Sequence, residues 1–179
     1  MSELDKIKIK IFADGADLNT FRELNSKSYV KGFTTNPSLM RKNGVKNYKN
    51  FAKELLSEIS DKSISFEVFE DDLVEMEKQA NEIATWGKNI YVKIPITNTK
   101  GISTHTLVKK LTDNNIPCNV TAIFTIEQVK IITDNISNNT PVILSVFAGR
   151  IADTGRDPLP LMRDCIDYSK NKKNIEILW

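Results

Sequence analysis

Cysteine and histidine are nearly absent from this chain. Cys118, Cys165 and His105 are their only representatives among 179 residues. Two thiols cannot build a disulfide framework, and they are expected to be reduced and buried. With a single histidine beside them, no cluster has metal-ligand spacing, so no structural metal and no cofactor is expected. Glycine and proline are also scarce, at 7 and 6 residues, and scattered. No linker or low-complexity stretch divides the chain, and residues 1–179 are expected to form one domain. No apolar run approaches the length of a membrane span. The start, Met1-Ser-Glu-Leu-Asp-Lys6, is polar and carries acids, unlike a secretory signal, so a cytoplasmic location is expected. The formal net charge is only +2, with lysines and acids interspersed, which gives no case for nucleic acid or an anionic membrane as partner.

Apolar residues, by contrast, are plentiful and patterned. Short runs rich in β-branched residues occur near Ile7–Asp14, Gly32–Asn36, Ile64–Phe69, Asn89–Thr97, Cys118–Phe124, Pro141–Phe147 and Ile175–Leu178. Their near-continuous apolar character suits strands covered on both faces. Between them lie stretches with helical spacing: Phe51, Leu55, Leu56 and Ile59; Leu73, Met76, Ala80 and Ile83; Leu107, Val108 and Leu111. Asp17 and Thr125 read as helix N-caps, and Pro37 suits a first helical turn. The Asn- and Lys-rich stretches Asn43–Asn50 and Lys170–Asn174 read as surface filling. Strand followed by helix, repeated along the chain, argues for an α/β fold with a parallel sheet. A nucleotide-binding doubly wound sheet would advertise a Gly-rich first turn. The first strand ends instead in Asp14-Gly-Ala-Asp17. A (β/α)8 barrel is favoured, with about seven of its strands visible.

In such barrels reactive groups sit at the C-terminal strand ends. Lys93 stands alone as a charge within Ile90-Tyr-Val-Lys-Ile-Pro-Ile96. Loss of hydration there favours the neutral amine, a nucleophile able to form a Schiff base with a ketone. Pairing with an acid, or escape to solvent at the strand end, is the plainer alternative. Asp14 and Glu67 end two other strands and could divide proton transfer; a turn residue and a solvated strand edge are the plainer readings. Asn36, in Thr34-Thr-Asn-Pro-Ser38, marks a helix boundary and could also aim its amide at a hydroxyl. Asn119 and Thr121 share one strand face, which suggests a polar interior or a satisfied core hydrogen bond. Ser145 and Arg150 close the sixth run; the Arg fork suits phosphate oxygens, a surface salt bridge being its ordinary fate.

In order along the chain, Phe12-Ala-Asp-Gly-Ala-Asp-Leu18, Gly32-Phe-Thr-Thr-Asn-Pro-Ser-Leu39, Ser65-Phe-Glu-Val68, Val92-Lys-Ile-Pro95, Asn119-Val-Thr121 and Ser145-Val-Phe-Ala-Gly-Arg-Ile151 resemble the transaldolase family, in its short branch with the fructose-6-phosphate aldolases. The resemblance implies a (β/α)8 barrel and metal-free class I aldolase chemistry of the pentose phosphate pathway, with a sugar phosphate as substrate. It implies Lys93 as the Schiff-base lysine and Asp14 as the base at the C4 hydroxyl. It gives Glu67 and Thr121 a proton-relaying water, and Asn36, Asn119 and Ser145 the hydroxyls of a dihydroxyacetone unit. Arg150 would hold the phosphate. Glu67 and Phe147 resemble the transaldolases, whereas the aldolases carry Gln and Tyr there. Gly15, Val146 and Ala148 depart from residues frequent in the family without removing a reactive group. Relatives continue past the equivalent of Trp179 with a Ser and an Arg of the phosphate site, an eighth strand and a last helix. The expectation is therefore an incomplete barrel. It would act as a transaldolase or aldolase, alone or as a homo-oligomer, or persist as an inactive binding or assembly partner.

Overall fold

The computed structural model describes residues 7–179; the polar stretch Met1–Lys6 lies outside them. Seven parallel strands are ordered in space as in the sequence: β1 (Ile11–Asp14), β2 (Val30–Thr34), β3 (Ser63–Glu67), β4 (Ile90–Pro95), β5 (Cys118–Ile123), β6 (Val142–Val146) and β7 (Ile175–Leu178). Between them run α1 (Leu18–Asn25), α2 (Pro37–Lys42), α3 (Tyr48–Glu58), α4 (Leu73–Ala84), α5 (His105–Asp113), α6 (Ile126–Asn135), α7 (Ala148–Asp153) and α8 (Leu159–Ser169). The sheet curls into an incomplete (β/α)8 barrel, as the strand–helix alternation predicts. All seven expected strands are present, the first shortened to start at Ile11.

Local chemistry sets the helix starts. Asp17 accepts from the Thr20 amide at 2.8 Å, and Asp72 from the Val74 amide at 2.9 Å. Thr125 and Gln128 form a reciprocal capping box at α6. Asn36 caps α2 and Pro37 occupies its first turn, where a missing N–H costs nothing. The Asn43–Asn50 stretch is more than surface filling: Asn47 caps α3 through the Asn50 amide at 2.9 Å, and Tyr48 is half-buried.

The strand register separates two faces. Phe33, Ile64, Phe66, Val92, Ile94, Cys118, Val120 and Leu144 point outward and are fully buried beneath the helices. Each large side chain there contributes about 1.5–3 kcal/mol by leaving water. The inner face carries polar residues, as the Asn119 and Thr121 pair suggested, although the runs themselves are nearly continuously apolar. Ser65, Glu67, Lys93, Asn119, Thr121 and Ser145 alternate with the outward residues and gather toward the C-terminal strand ends. Lower in the barrel, Phe12 fills the space over Gly32, where a Cβ would lie 2.4 Å from its ring.

The sheet has two edges, β1 and β7. Lys10 and Glu176 make an ion pair between them, and a cleft of about 300 Å³ opens among Phe12, Ile143, Glu176 and Leu178. Cys118 and Cys165 are free and buried. Among the described residues no helix is long and apolar enough to cross a membrane.

Candidate active site

Lys93 is the buried centre of the inner face, only 8% exposed. β4 carries it in register with Glu67 on one side and Asn119 on the other. Its Nζ lies 3.1 Å from Glu67 Oε2 and donates to the Thr35 carbonyl oxygen at 3.0 Å. Its surroundings thus correct the apolar picture drawn from the neighbouring residues of β4: the strand is hydrophobic, but the amine meets a carboxylate and a carbonyl from β3 and from just beyond β2. Burial pushes the Glu67 carboxyl above its ordinary value; the Lys93 charge opposes this, and the Asp14 charge adds to it.

Asp14 ends β1, next to the open edge, and is exposed. Thr34 Oγ1 donates to its Oδ1 at 2.9 Å and Asn36 Nδ2 to its Oδ2 at 3.2 Å. Asn36 thereby divides its amide. Its oxygen accepts from the Leu39 amide at 2.9 Å to cap α2, and its nitrogen orients Asp14. The plain structural reading of Asn36 holds, and its orienting contact exists beside it.

Asn119 joins three strands. Its Nδ2 donates to Ser65 Oγ at 3.0 Å, and its Oδ1 accepts from Ser145 Oγ at 2.8 Å. All three residues are buried. This belt crosses the inner face at the level of Lys93 and satisfies groups that would otherwise cost about 1–3 kcal/mol each.

Thr121 Oγ1, on the same face two residues further, is buried without a hydrogen-bond partner. The next residue, Ala122, has φ +58°, in the left-handed region. The β5–β6 register shifts between Val120 and Ile123. Ala122 is the extra residue of a bulge that returns Ile123 to the outer core and leaves Thr121 facing inward. An unpaired buried hydroxyl at such a place is one that a bound molecule or water would complete.

Arg150 stands apart. It belongs to α7, its side chain is 74% exposed, and it pairs with Asp153 at 3.2 Å. The structure therefore brings Lys93, Glu67, Asp14, Asn36, Asn119, Thr121 and Ser145 to one end of the barrel and leaves Arg150 in a surface ion pair. Phe147, just before α7, packs edge-on to Phe124 with centroids 5.6 Å apart. Sequence reasoning passed over Thr34, Thr35, Ser65 and Tyr48. Ser65 was accessible to it, because period-two alternation places it on the Glu67 face. Nothing local marked the Thr35 carbonyl.

Residues 11–179 match the family described as transaldolase/fructose-6-phosphate aldolase. The chain belongs to this family. Among its relatives, a protein named "Probable transaldolase" from Dehalococcoides mccartyi is 31% identical over 90% of this chain and 71% of its own length. One of the same name from Clostridium kluyveri is 35% identical over 90% and 71%. A third, from a Thermoanaerobacter species, is 35% identical over 91% and 71%. Within this transaldolase/aldolase family member, the matched region includes every strand and the whole inner-face cluster.

Proposed function

We propose that this chain is a Schiff-base transaldolase that transfers a dihydroxyacetone unit between sugar phosphates. The observation that carries the reading is Lys93: a buried amine at a C-terminal strand end, 3.1 Å from a carboxylate that can take its proton. Burial raises the proton affinity of Glu67, which suits it to accept a proton from the Lys93 ammonium.

The neutral amine attacks the ketose carbonyl carbon, forming a carbinolamine. Its hydroxyl leaves as water after protonation, with Glu67 and the unpaired Thr121 hydroxyl serving the transfer. The resulting protonated imine is an electron sink. Asp14, oriented by Thr34 and Asn36, removes the C4 hydroxyl proton. The C3–C4 bonding electrons then move toward the imine, an aldehyde phosphate departs, and a three-carbon enamine stays on Lys93. A second aldehyde phosphate receives that carbon by the reverse sequence. Asn119, Ser145 and Asn36 offer polar atoms to the hydroxyls of the held unit. Arg150 reaches a phosphate by exchanging the Asp153 carboxylate for it. Glu67 together with Phe147 supports transfer over simple aldol cleavage. The reading carries with it a role in the pentose phosphate pathway, in the cytoplasm.

Borohydride reduction in the presence of fructose 6-phosphate tests the chemistry. A stable adduct on Lys93, absent from Lys93→Met along with turnover, is the expected result. A wild-type chain that acquires no adduct overturns the reading and favours a binding or assembly role. Product analysis with and without an acceptor aldehyde phosphate separates transfer from free aldol cleavage.

A further inference from the structure

We infer that Tyr48 is a positioning residue for the Lys93 amine, acting through Glu67 and Thr35; this rests on the Schiff-base reading above. Tyr48 opens α3, outside the strand layer, yet its hydroxyl donates to the Glu67 carbonyl oxygen at 2.8 Å. The hydroxyl of Thr35 lies beside it, and itself donates to the Ser65 carbonyl at 2.9 Å. One phenol therefore touches both residues that hold Nζ: Glu67 through its carboxylate, and Thr35 through its carbonyl.

The sheet ladder explains why this phenol is needed. The Thr35 amide donates to the Ser65 carbonyl at 3.0 Å. In a parallel ladder the next donor toward the Glu67 carbonyl would come from position 37. That position is Pro37, which has no N–H. The chain turns into α2 there, so β2 releases β3 one bond too early to fix the residue that carries the carboxylate. Tyr48 supplies the missing donor. Its ring is itself fixed by Phe69, Trp86 and Phe66, with centroids 4.6, 5.1 and 6.0 Å away. Burial, with the Glu67 charge added, raises the phenol's pKa, so it remains a donor throughout the working pH range. The aromatic cluster thus anchors the phenol, and the phenol anchors the ends of β2 and β3 around Nζ.

Tyr48→Phe removes the hydroxyl and keeps the ring packing. The rate of borohydride trapping with fructose 6-phosphate, and kcat with it, should fall about tenfold with KM little changed, as for a misplaced reacting group. The acid limb of the kcat/KM profile should move as well, because the Glu67 carboxylate shifts relative to Lys93. Thr35→Val, which keeps the carbonyl and the side-chain shape, should slow trapping in the same direction. It serves as the deciding variant if Tyr48→Phe fails to fold. Trapping rate, kcat and pH profile all unchanged, even with a lowered Tm, overturn the positioning role. Where the wild type traps the ketose and the variants trap it equally fast, the positioning role fails alone. A wild type that traps nothing removes the Schiff-base reading, and this inference with it.

Discussion

The two sides of the barrel differ in how they hold a charge. Across β3, β4 and β5, Lys93 and Glu67 are mostly sequestered, with side chains 10% and 17% exposed, and they are held by each other and by the Thr35 carbonyl, with the Asn119–Ser65 contact alongside. At the β1 and β7 edges, Lys10 and Glu176 pair at 59% and 50% exposure over an open cleft. A carboxylate on the closed side has its proton affinity shifted by burial, whereas an ion pair at the open edges is weakened by water and salt. Asp14 lies between these regimes: its residue is exposed at the edge, but Thr34 and Asn36 direct its carboxylate. The chemistry is therefore expected to depend on the closed side for its amine, and to tolerate changes at the Lys10–Glu176 pair of the open one.

Breaking the belt should have the largest effect on stability. Asn119→Leu leaves the Ser65 and Ser145 hydroxyls buried without their partner, and should cost about 1–3 kcal/mol in urea denaturation, with loss of trapping at Lys93. A stability equal to wild type would mean that the belt is not what orders this side.

A smaller effect, and a signed one, concerns Glu67. Its carboxyl binds a proton more tightly in the folded state than in the unfolded one. Its contribution to stability is therefore present below its ordinary value of 4.5 and is lost as pH rises through the raised value. Glu67→Gln should flatten this decline, measured as the difference between the two denaturation free energies across that window. Parallel pH dependences would place Glu67 with the solvated carboxylates of the open edges.

The smallest effect belongs to the edges. Lys10→Met should change stability by less than about 1 kcal/mol, and 1 M salt should erase the difference. A larger and salt-resistant loss would show that the edge pair, too, holds the curl of the sheet.

Much of this architecture was legible along the chain. Seven β-branched runs gave seven strands, and Asp17, Thr125 and Pro37 marked helix starts that depend only on groups within one turn. Period-two spacing alone placed Asn119 and Thr121 on one face. Arg150 was legible as a residue type suited to phosphate, but its side chain lies in the ion pair that is the ordinary fate of an exposed arginine. The inward polarity of the strands was harder to see, because β4 offers Lys93 among apolar neighbours and conceals the carbonyl that meets it.

What the sequence by itself determined is the set of elements and the outward apolar face, since caps, helical spacing and strand alternation act over a few residues. Only the tertiary structure decided which polar atoms meet. Lys93 finds Thr35 across 58 residues, Asn119 finds Ser65 across 54, and Ser145 finds Asn119 across 26. Such contacts are set by sheet order and curl, and so is the reach of Tyr48 to a carbonyl that Pro37 cannot serve.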